Sequence, residues 1–429
     1  MKIFIVASTH PEINSSTNII IKNILKNLEK NIDLNSIWFV YQSKLFKKLI
    51  DNNETIIPIQ DYQNAVEALS EFNPDCVLTN NNKFTDIQYA FSLAANFLNI
   101  PLIQYKNADL TFDEISSKSR KIKSNFKRNI TQFFSNVPQN NGMKRGSFIL
   151  YKKKFLYETN KALGVNTFKN FNSQINDYVY HFIGDTKKRF SNLANLQLVH
   201  SEVWLKILQE GGVDSTKLVL TGNPYWDNFY EISKKLVDIK KPITRKPVRL
   251  LISTTPLLEH GYWKTEQKEE FLGNLIKFLK DQPDYSCSFK IHPSSEDIDF
   301  YKSFFKKFNV SFPIYQKEST WSIANNFDLI ISYGYSTIHT ECALFGFRLI
   351  LINTNLEIRE MPLVKSGIDS GFIKKCDNIH EISSISKQLC EQEIHFNDLH
   401  KHEIKKIIYK FDGKSGERAA SAILKLLSR

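Results

Sequence analysis

Cysteine is scarce in this chain. Five residues (Cys76, Cys287, Cys342, Cys376 and Cys390) are scattered through 429, an odd number with no Cys-x-x-Cys pair. That excludes a disulfide scaffold and a cysteine-based zinc module, and it reads as buried free thiols in a reducing compartment. No stretch approaches the about 20 consecutive apolar residues of a membrane-spanning helix. Met1-Lys-Ile-Phe-Ile-Val-Ala has no basic leader and too short an apolar run for a signal peptide, so it reads as a first strand of a cytoplasmic protein. Gly-x-Gly-x-x-Gly does not occur. Gly413-Lys414-Ser415 lacks the upstream glycine of a P-loop, and His402-Glu403 lacks the second histidine of a zinc helix. Asp297-Ile298-Asp299 mimics a metal-binding Asp-x-Asp, but carboxylates there also suit the opening of a helix. Neither a metal nor a cofactor is expected. His395, His400 and His402 read as surface residues, and no internal repeat or low-complexity tract is present.

What is abundant is core material and positive charge. Hydrophobic residues make up 42% with 32 phenylalanines, and a chain of 429 residues is long enough for two cores. Net charge is +12. That permits an anionic partner without naming one, and the abundance of lysine and asparagine is equally what a nucleotide-biased genome produces.

Strand-like and helix-like runs alternate from the start: Ile3–Ala7, Asn18–Leu28, Ser36–Tyr41, Ala65–Phe72, Cys76–Thr79, Ile87–Leu98 and Ile100–Ile103. Such βαβ alternation predicts a parallel, doubly wound sheet. Residues 111–182 interrupt it with basic amphipathic helix. Lys118, Arg120, Lys121, Lys123, Lys127 and Arg128 are interleaved with Ile122, Phe126, Ile130 and Phe133, and Lys152-Lys153-Lys154 lies near Phe148 and Phe155. A solvated helix face and a contact with an anionic membrane surface through 118–155 both fit this pattern. Lys240–Pro247 is polar and proline-punctuated, a linker signal. Strands then resume at Arg249–Ser253, Ser288–Ile291, Leu329–Ser332 and Leu349–Ile352. The expected organisation is a domain over 1–240, a second over 248–412 and a C-terminal helix within 413–429.

Two segments carry chemistry. Phe289-Lys290-Ile291-His292-Pro293-Ser294-Ser295-Glu296 and Asp328-Leu-Ile-Ile-Ser-Tyr-Gly334-Tyr-Ser336-Thr337-Ile-His-Thr-Glu341 each place polar groups directly after a buried strand. Ligands of open α/β sheets bind beyond those carboxyl ends. Lys290 and His292 can meet a phosphate there, and Ser336 and Thr337 open a helix whose free N–H groups favour an anion. Glu341, one turn in, is placed for sugar hydroxyls. A structural histidine, a simple helix cap and a surface ion pair are the plainer readings of the same residues.

These segments resemble the GT-B superfamily, and their spacing is closest to the UDP-N-acetylglucosamine 2-epimerase-like branch, over about the first 110 residues and from Phe182 onward. Ser8-Thr9-His10-Pro11-Glu12 looks like that family's Gly-Thr-Arg-Pro-Glu loop, with histidine for arginine. Leu198–Asp227 looks like the stretch ending in Thr-Gly-Asn, which singles out Asn223, and Arg359-Glu360 resembles a later Arg-Pro-Glu. The departures matter. Asn82 and Lys106 fall where the epimerases carry acid/base carboxylates, and Ser336-Thr337 replaces a Gly-Gly pair. The same His-Pro and Ser-Thr segments look like motifs of bacterial sialyltransferases and polysaccharide-linking transferases.

The resemblance implies two Rossmann-like domains facing across a cleft. It implies a metal-independent glycosyltransferase for surface polysaccharide or glycolipid, with a UDP- or CMP-linked sugar donor and a glycan or lipid-linked acceptor. His292, Lys290 and His10 would be catalytic. Ser336, Thr337, Glu341, Gly334, Asn223 and Arg359 would bind the donor nucleotide. A UDP-N-acetylglucosamine 2-epimerase-like enzyme is the alternative. No nucleic-acid partner is expected, and peripheral association with the inner face of the cell membrane is.

Overall fold

In a computed structural model of the chain, the residues described are 1–7, 10–12, 15–41, 54–80, 86–105, 145–170, 172, 175, 192–233, 241–293, 295–318, 320–324, 326–334, 336–354 and 362–428. They form two compact units. One comprises Met1–Asn228 with Ile407–Arg429, the other Phe229–Lys406.

Among the described residues, seven strands build the first unit: β1 (Lys2–Ala7), β2 (Asn35–Val40), β3 (Glu54–Pro58), β4 (Cys76–Asn80), β5 (Leu102–Tyr105), β6 (Leu196–Val199) and β7 (Leu218–Leu220). Their order is β3-β2-β1-β4-β5-β6-β7, parallel throughout. β1 is a nearly continuous apolar run because helices cover both faces of a parallel sheet. The strand order reverses between β1 and β4, the switch point at which open α/β sheets take ligands.

An aromatic cluster fills one side of this sheet. Phe39 and Phe91 pack edge-on at 4.6 Å between centroids, with Phe4 at 5.2 Å and Phe155 at 5.9 Å from Phe91. Phe148 and Phe155, seven residues apart on the Arg145–Ala162 helix, therefore face the core. This corrects their reading as part of a membrane-facing surface: two turns of helix bring both rings to one stripe, and that stripe is buried. Lys153 pairs with Asp86 at 2.7 Å, and the Lys152 ammonium lies 4.9 Å over the Phe148 ring. The basic residues from Lys118 to Arg128 lie outside the described residues.

The chain's last helix, Ser415–Leu427, packs in this unit against the Ser16–Leu28 helix. Gly416 permits the approach, since a Cβ there would stand 2.8 Å from the Asn23 carbonyl oxygen. The Asp227 carboxylate receives the N–H groups of Ser415 at 2.9 Å and Gly416 at 2.6 Å, satisfying two of the donors a helix start leaves over.

The second unit has six strands among the described residues: β8 (Val248–Ser253), β9 (Tyr285–Lys290), β10 (Ile314–Tyr315), β11 (Leu329–Tyr333), β12 (Leu349–Ile352) and β13 (Ile373–Cys376). The order is β10-β9-β8-β11-β12-β13, again parallel. Its switch point lies between β8 and β11. Leu250, Ile252, Phe289, Ile331 and Tyr333 form one core with the helices Thr265–Lys280 and Ile298–Lys307. Residues 241–247 run along this unit: the Ile243 N–H donates to the Cys390 carbonyl at 2.7 Å, and Arg245 pairs with Asp328.

His400 departs from its expected surface position. It is fully buried, with Nδ1 2.7 Å from Ser366 Oγ and Nε2 2.7 Å from the Ala343 carbonyl oxygen, and packed edge-on to Phe372 and Phe396. All five cysteines are buried and free. Among the described residues, no helix is long and apolar enough to cross a membrane.

Candidate functional site

Register decides which side chains meet beyond the second sheet. Ser253 pairs with Lys290 on one side and with Ser332 on the other. Side chains alternate faces along a strand, so these three project from the same face, opposite the apolar core. That face also carries the Thr337–Phe345 helix, whose His339 Nε2 lies 3.0 Å from Ser332 Oγ. Burial without a countercharge presses His339 down to about 4, so its imidazole is neutral.

Lys290 sits inside this polar row, not at its rim. Its Nζ donates to the carbonyls of Ile291 at 2.9 Å and Gln316 at 3.1 Å. Burial lowers the ammonium to about 8, against the opposing pull of Glu318, Glu296 and Glu341. The residue thus fastens the loop after β9 to the segment after β10 while keeping a positive charge near neutral pH.

His292 opens that loop. Its Nδ1 accepts the Ser295 N–H at 3.2 Å, which places the ring proton on Nε2. Desolvation lowers it to about 4, with Glu296 opposing, so at neutral pH His292 is an uncharged hydrogen-bond donor and not a cation. The His260 ring lies edge-on at 6.3 Å.

Beyond β11 the chain turns at Gly334, with φ +68, and Ser336 caps the Thr337–Phe345 helix by accepting the Ile338 N–H at 3.5 Å. A Cβ at position 334 would stand 3.0 Å from Leu257 and 3.2 Å from Thr255, so the turn is tight on both counts. Thr255 Oγ1 donates to the Tyr333 carbonyl, joining the loop after β8 to the end of β11. Thr337 is the helix's first residue, and Glu341 is buried one turn further. Arg359 lies outside the described residues, as do Asn82 and Lys106.

The other two candidates belong to the first unit. His10 follows β1 and is buried; its Nδ1 accepts the Glu12 N–H at 3.3 Å and its carbonyl accepts Asn18 Nδ2 at 2.7 Å. Burial lowers its titration below the ordinary range, and Nε2 has no partner among the described residues. Asn223 caps the short Pro224–Trp226 turn, accepting the Tyr225 N–H at 3.0 Å. It lines a cavity of about 10 Å³ with Tyr105, His200 and Thr221, room for one water-sized group.

Sequence reasoning passed over the residue that organises the second unit's site. Glu296 had appeared only as the end of a motif, yet its carboxylate is wholly buried and receives His292 N–H at 2.8 Å, Tyr301 Oη at 2.5 Å, Lys268 Nζ at 3.3 Å and Thr254 Oγ1. Lys268 is itself buried and pairs with Glu259 at 2.7 Å. A charged residue on an otherwise apolar helix face was the one available signal. Asp297, which had mimicked a metal ligand, is the N-cap of the Ile298–Lys307 helix. No group of three or more metal-ligating side chains occurs among the described residues.

No family model matches the chain, and no curated protein matches it. Solved structures do. The UDP-GlcNAc 2-epimerase of Methanocaldococcus jannaschii superposes with a TM-score of 0.52 at 16% identity, covering 99% of this chain and 100% of that one. MnaA of S. aureus, solved with UDP, gives 0.50 at 14% identity over 100% and 98%. A putative UDP-N-acetylglucosamine 2-epimerase from Listeria monocytogenes gives 0.50 at 13% over 100% and 96%. The fold is GT-B. In GT-B terms the described site is the strand-end edge of the C-terminal Rossmann-like unit, where β8, β9 and β11 deliver Thr254, His292 and Ser336.

Proposed function

We propose that the chain is a metal-independent glycosyltransferase using a UDP- or CMP-linked sugar, acting in surface polysaccharide or glycolipid biosynthesis. The observation that carries this reading is the joined set of strand-end loops in the second unit. A neutral His292 with its proton on Nε2, the Ser336-capped helix start and the Lys290 ammonium belong to strand ends of one sheet, and in this reading they supply the donors and positive charge that a departing phosphate needs. Preorganised donors of this kind stabilise charge as it develops and are commonly the largest catalytic term. Glu341 takes the nucleotide ribose in this reading, with Thr337, Gly334 and Arg359 completing the donor site. In the first unit, His10 acts through Nε2 as a hydrogen-bond donor, and Asn223 orders its own turn. An anionic membrane surface meets residues 118–155 through lysine and arginine charge.

The test is turnover of nucleotide sugars by purified protein, with His292→Ala and Ser336→Ala alongside. Each variant should cost about 100-fold in donor turnover; activity surviving both changes would remove the site from the reaction. EDTA should leave turnover intact.

One observation favours a second reading. A UDP-GlcNAc 2-epimerase is among the solved structures that superpose, matched along its whole length. Epimerase chemistry would exchange the sugar's C2 hydrogen, so deuterium appearing at C2 of UDP-N-acetylglucosamine in deuterated water supports it over transfer. Asn82 and Lys106, standing where that family has carboxylates, weigh toward transfer.

A further inference from the structure

We infer that Glu296 is a positioning residue for the nucleotide-phosphate site: it acts through His292, whose backbone it holds. This rests on the proposed reading of that site.

The carboxylate divides its two oxygens between two sides of the fold. Oε2 accepts the His292 N–H at 2.8 Å and the Thr254 hydroxyl, one from the loop after β9 and one from the loop after β8. Oε1 accepts Tyr301 Oη at 2.5 Å and Lys268 Nζ at 3.3 Å, from the helices behind the sheet. The residue's own carbonyl receives Gln316 Nε2 at 2.8 Å, tying in the segment after β10. Three connecting segments and two helices therefore meet at Glu296. His292 is the residue whose backbone this arrangement holds, with its ring orientation fixed by the Ser295 N–H on Nδ1.

Stability alone does not account for such a group. Burying an ion pair costs desolvation that apolar residues of the same volume would avoid, so the pair adds little stability by itself, and in this inference its use is to specify one geometry. The partners point the same way. Lys268 is clamped between Glu259 and Glu296 and lies over the rings of Phe300 at 4.9 Å and Tyr301 at 5.2 Å, so the carboxylate cannot swing without breaking several contacts. Only a rigidly placed donor helps a transition state whose charge appears at one point.

The experiment is calorimetry with UDP, and with CMP if UDP gives no heat, on the full chain and on His292→Ala, Glu296→Gln and the double variant. Glu296→Gln keeps the shape and removes the charge. It should weaken nucleotide binding about tenfold. The double variant should bind no more weakly than His292→Ala alone, because Glu296 acts through that residue. Losses that add would show that Glu296 acts independently of His292 and overturn the inference. Wild-type affinity in Glu296→Gln, with His292→Ala impaired, would overturn it as well. Wild-type affinity in His292→Ala would instead sink the site reading itself. A second readout needs no nucleotide: the His292 amide proton, hydrogen-bonded to a carboxylate, should shift upfield and exchange faster in Glu296→Gln, and an unmoved signal counts against the inference. If Glu296→Gln does not fold, Thr254→Val removes one donor from the same carboxylate. It should give a smaller loss with the same non-additivity, and additive behaviour there would be equally decisive.

Discussion

The Glu296 carboxylate accepts the backbone N–H of His292 at 2.8 Å, closing the loop after β9 onto a group that also receives Lys268, Tyr301 and Thr254. Local closure and long-range anchoring thus coincide at one side chain, and the residues at the end of the strand inherit their geometry from behind the sheet.

Lys290 supplies a charge that titrates in an accessible range. Its ammonium is lowered to about 8, chiefly by burial. Nucleotide affinity should therefore hold steady below pH 8 and decline as pH rises through it, when the positive charge is lost. Lys290→Met should bind more weakly and lose that dependence between pH 7 and 9. A flat wild-type profile over that interval would place the ammonium outside the phosphate field.

Two histidines should make the fold acid-sensitive. His292 and His339 both titrate near about 4 in the folded chain, against an ordinary 6.5. Between those values the unfolded chain binds protons that the folded chain refuses, so stability is fully present above pH 6.5 and is lost as pH falls toward 4. Urea midpoints measured across that window should fall with acidification, and His339→Gln should flatten the slope. An unchanged slope in that variant would contradict the neutral, buried assignment.

Gly334 holds a left-handed turn at φ +68 with Leu257 and Thr255 closing on its missing side chain. Gly334→Ala should cost about 1–2 kcal/mol from backbone conformation alone, read by urea unfolding. Nucleotide affinity should drop with it, because the same turn aims the Ser336 cap. Full stability in Gly334→Ala would mean that the turn tolerates a side chain.

Membrane association and core packing should separate cleanly. Changing Lys121, Lys123, Lys127 and Arg128 to glutamate should abolish flotation with anionic liposomes, and wild-type flotation should weaken as salt rises. Phe148→Ala and Phe155→Ala should each cost about 3–5 kcal/mol of stability and leave flotation of the folded protein unchanged, since both rings lie in the core. Flotation unaltered by the charge reversals would reduce the basic stretch to a solvated face.

By itself the sequence determined much of the framework. Apolar runs such as Ile3–Ala7 and Leu349–Ile352 mark buried parallel strands because a covered sheet leaves no polar face to alternate with. The Ser201 and Ser336 caps mark helix starts because their hydroxyls satisfy N–H groups only two or three residues away. These are local signals. β10 at Ile314–Tyr315 is two residues long, too short to show any period, and exists because β9 offers it an edge. His400 and the phenylalanines of the Arg145–Ala162 helix looked like surface groups until distant partners enclosed them. Lys268 and Glu296 lie 28 residues apart, and nothing in either neighbourhood announces the other. Only tertiary structure decided that a lysine, a tyrosine, a threonine and a histidine N–H would share one carboxylate, because a buried charge is tolerable only where packing brings all its partners together.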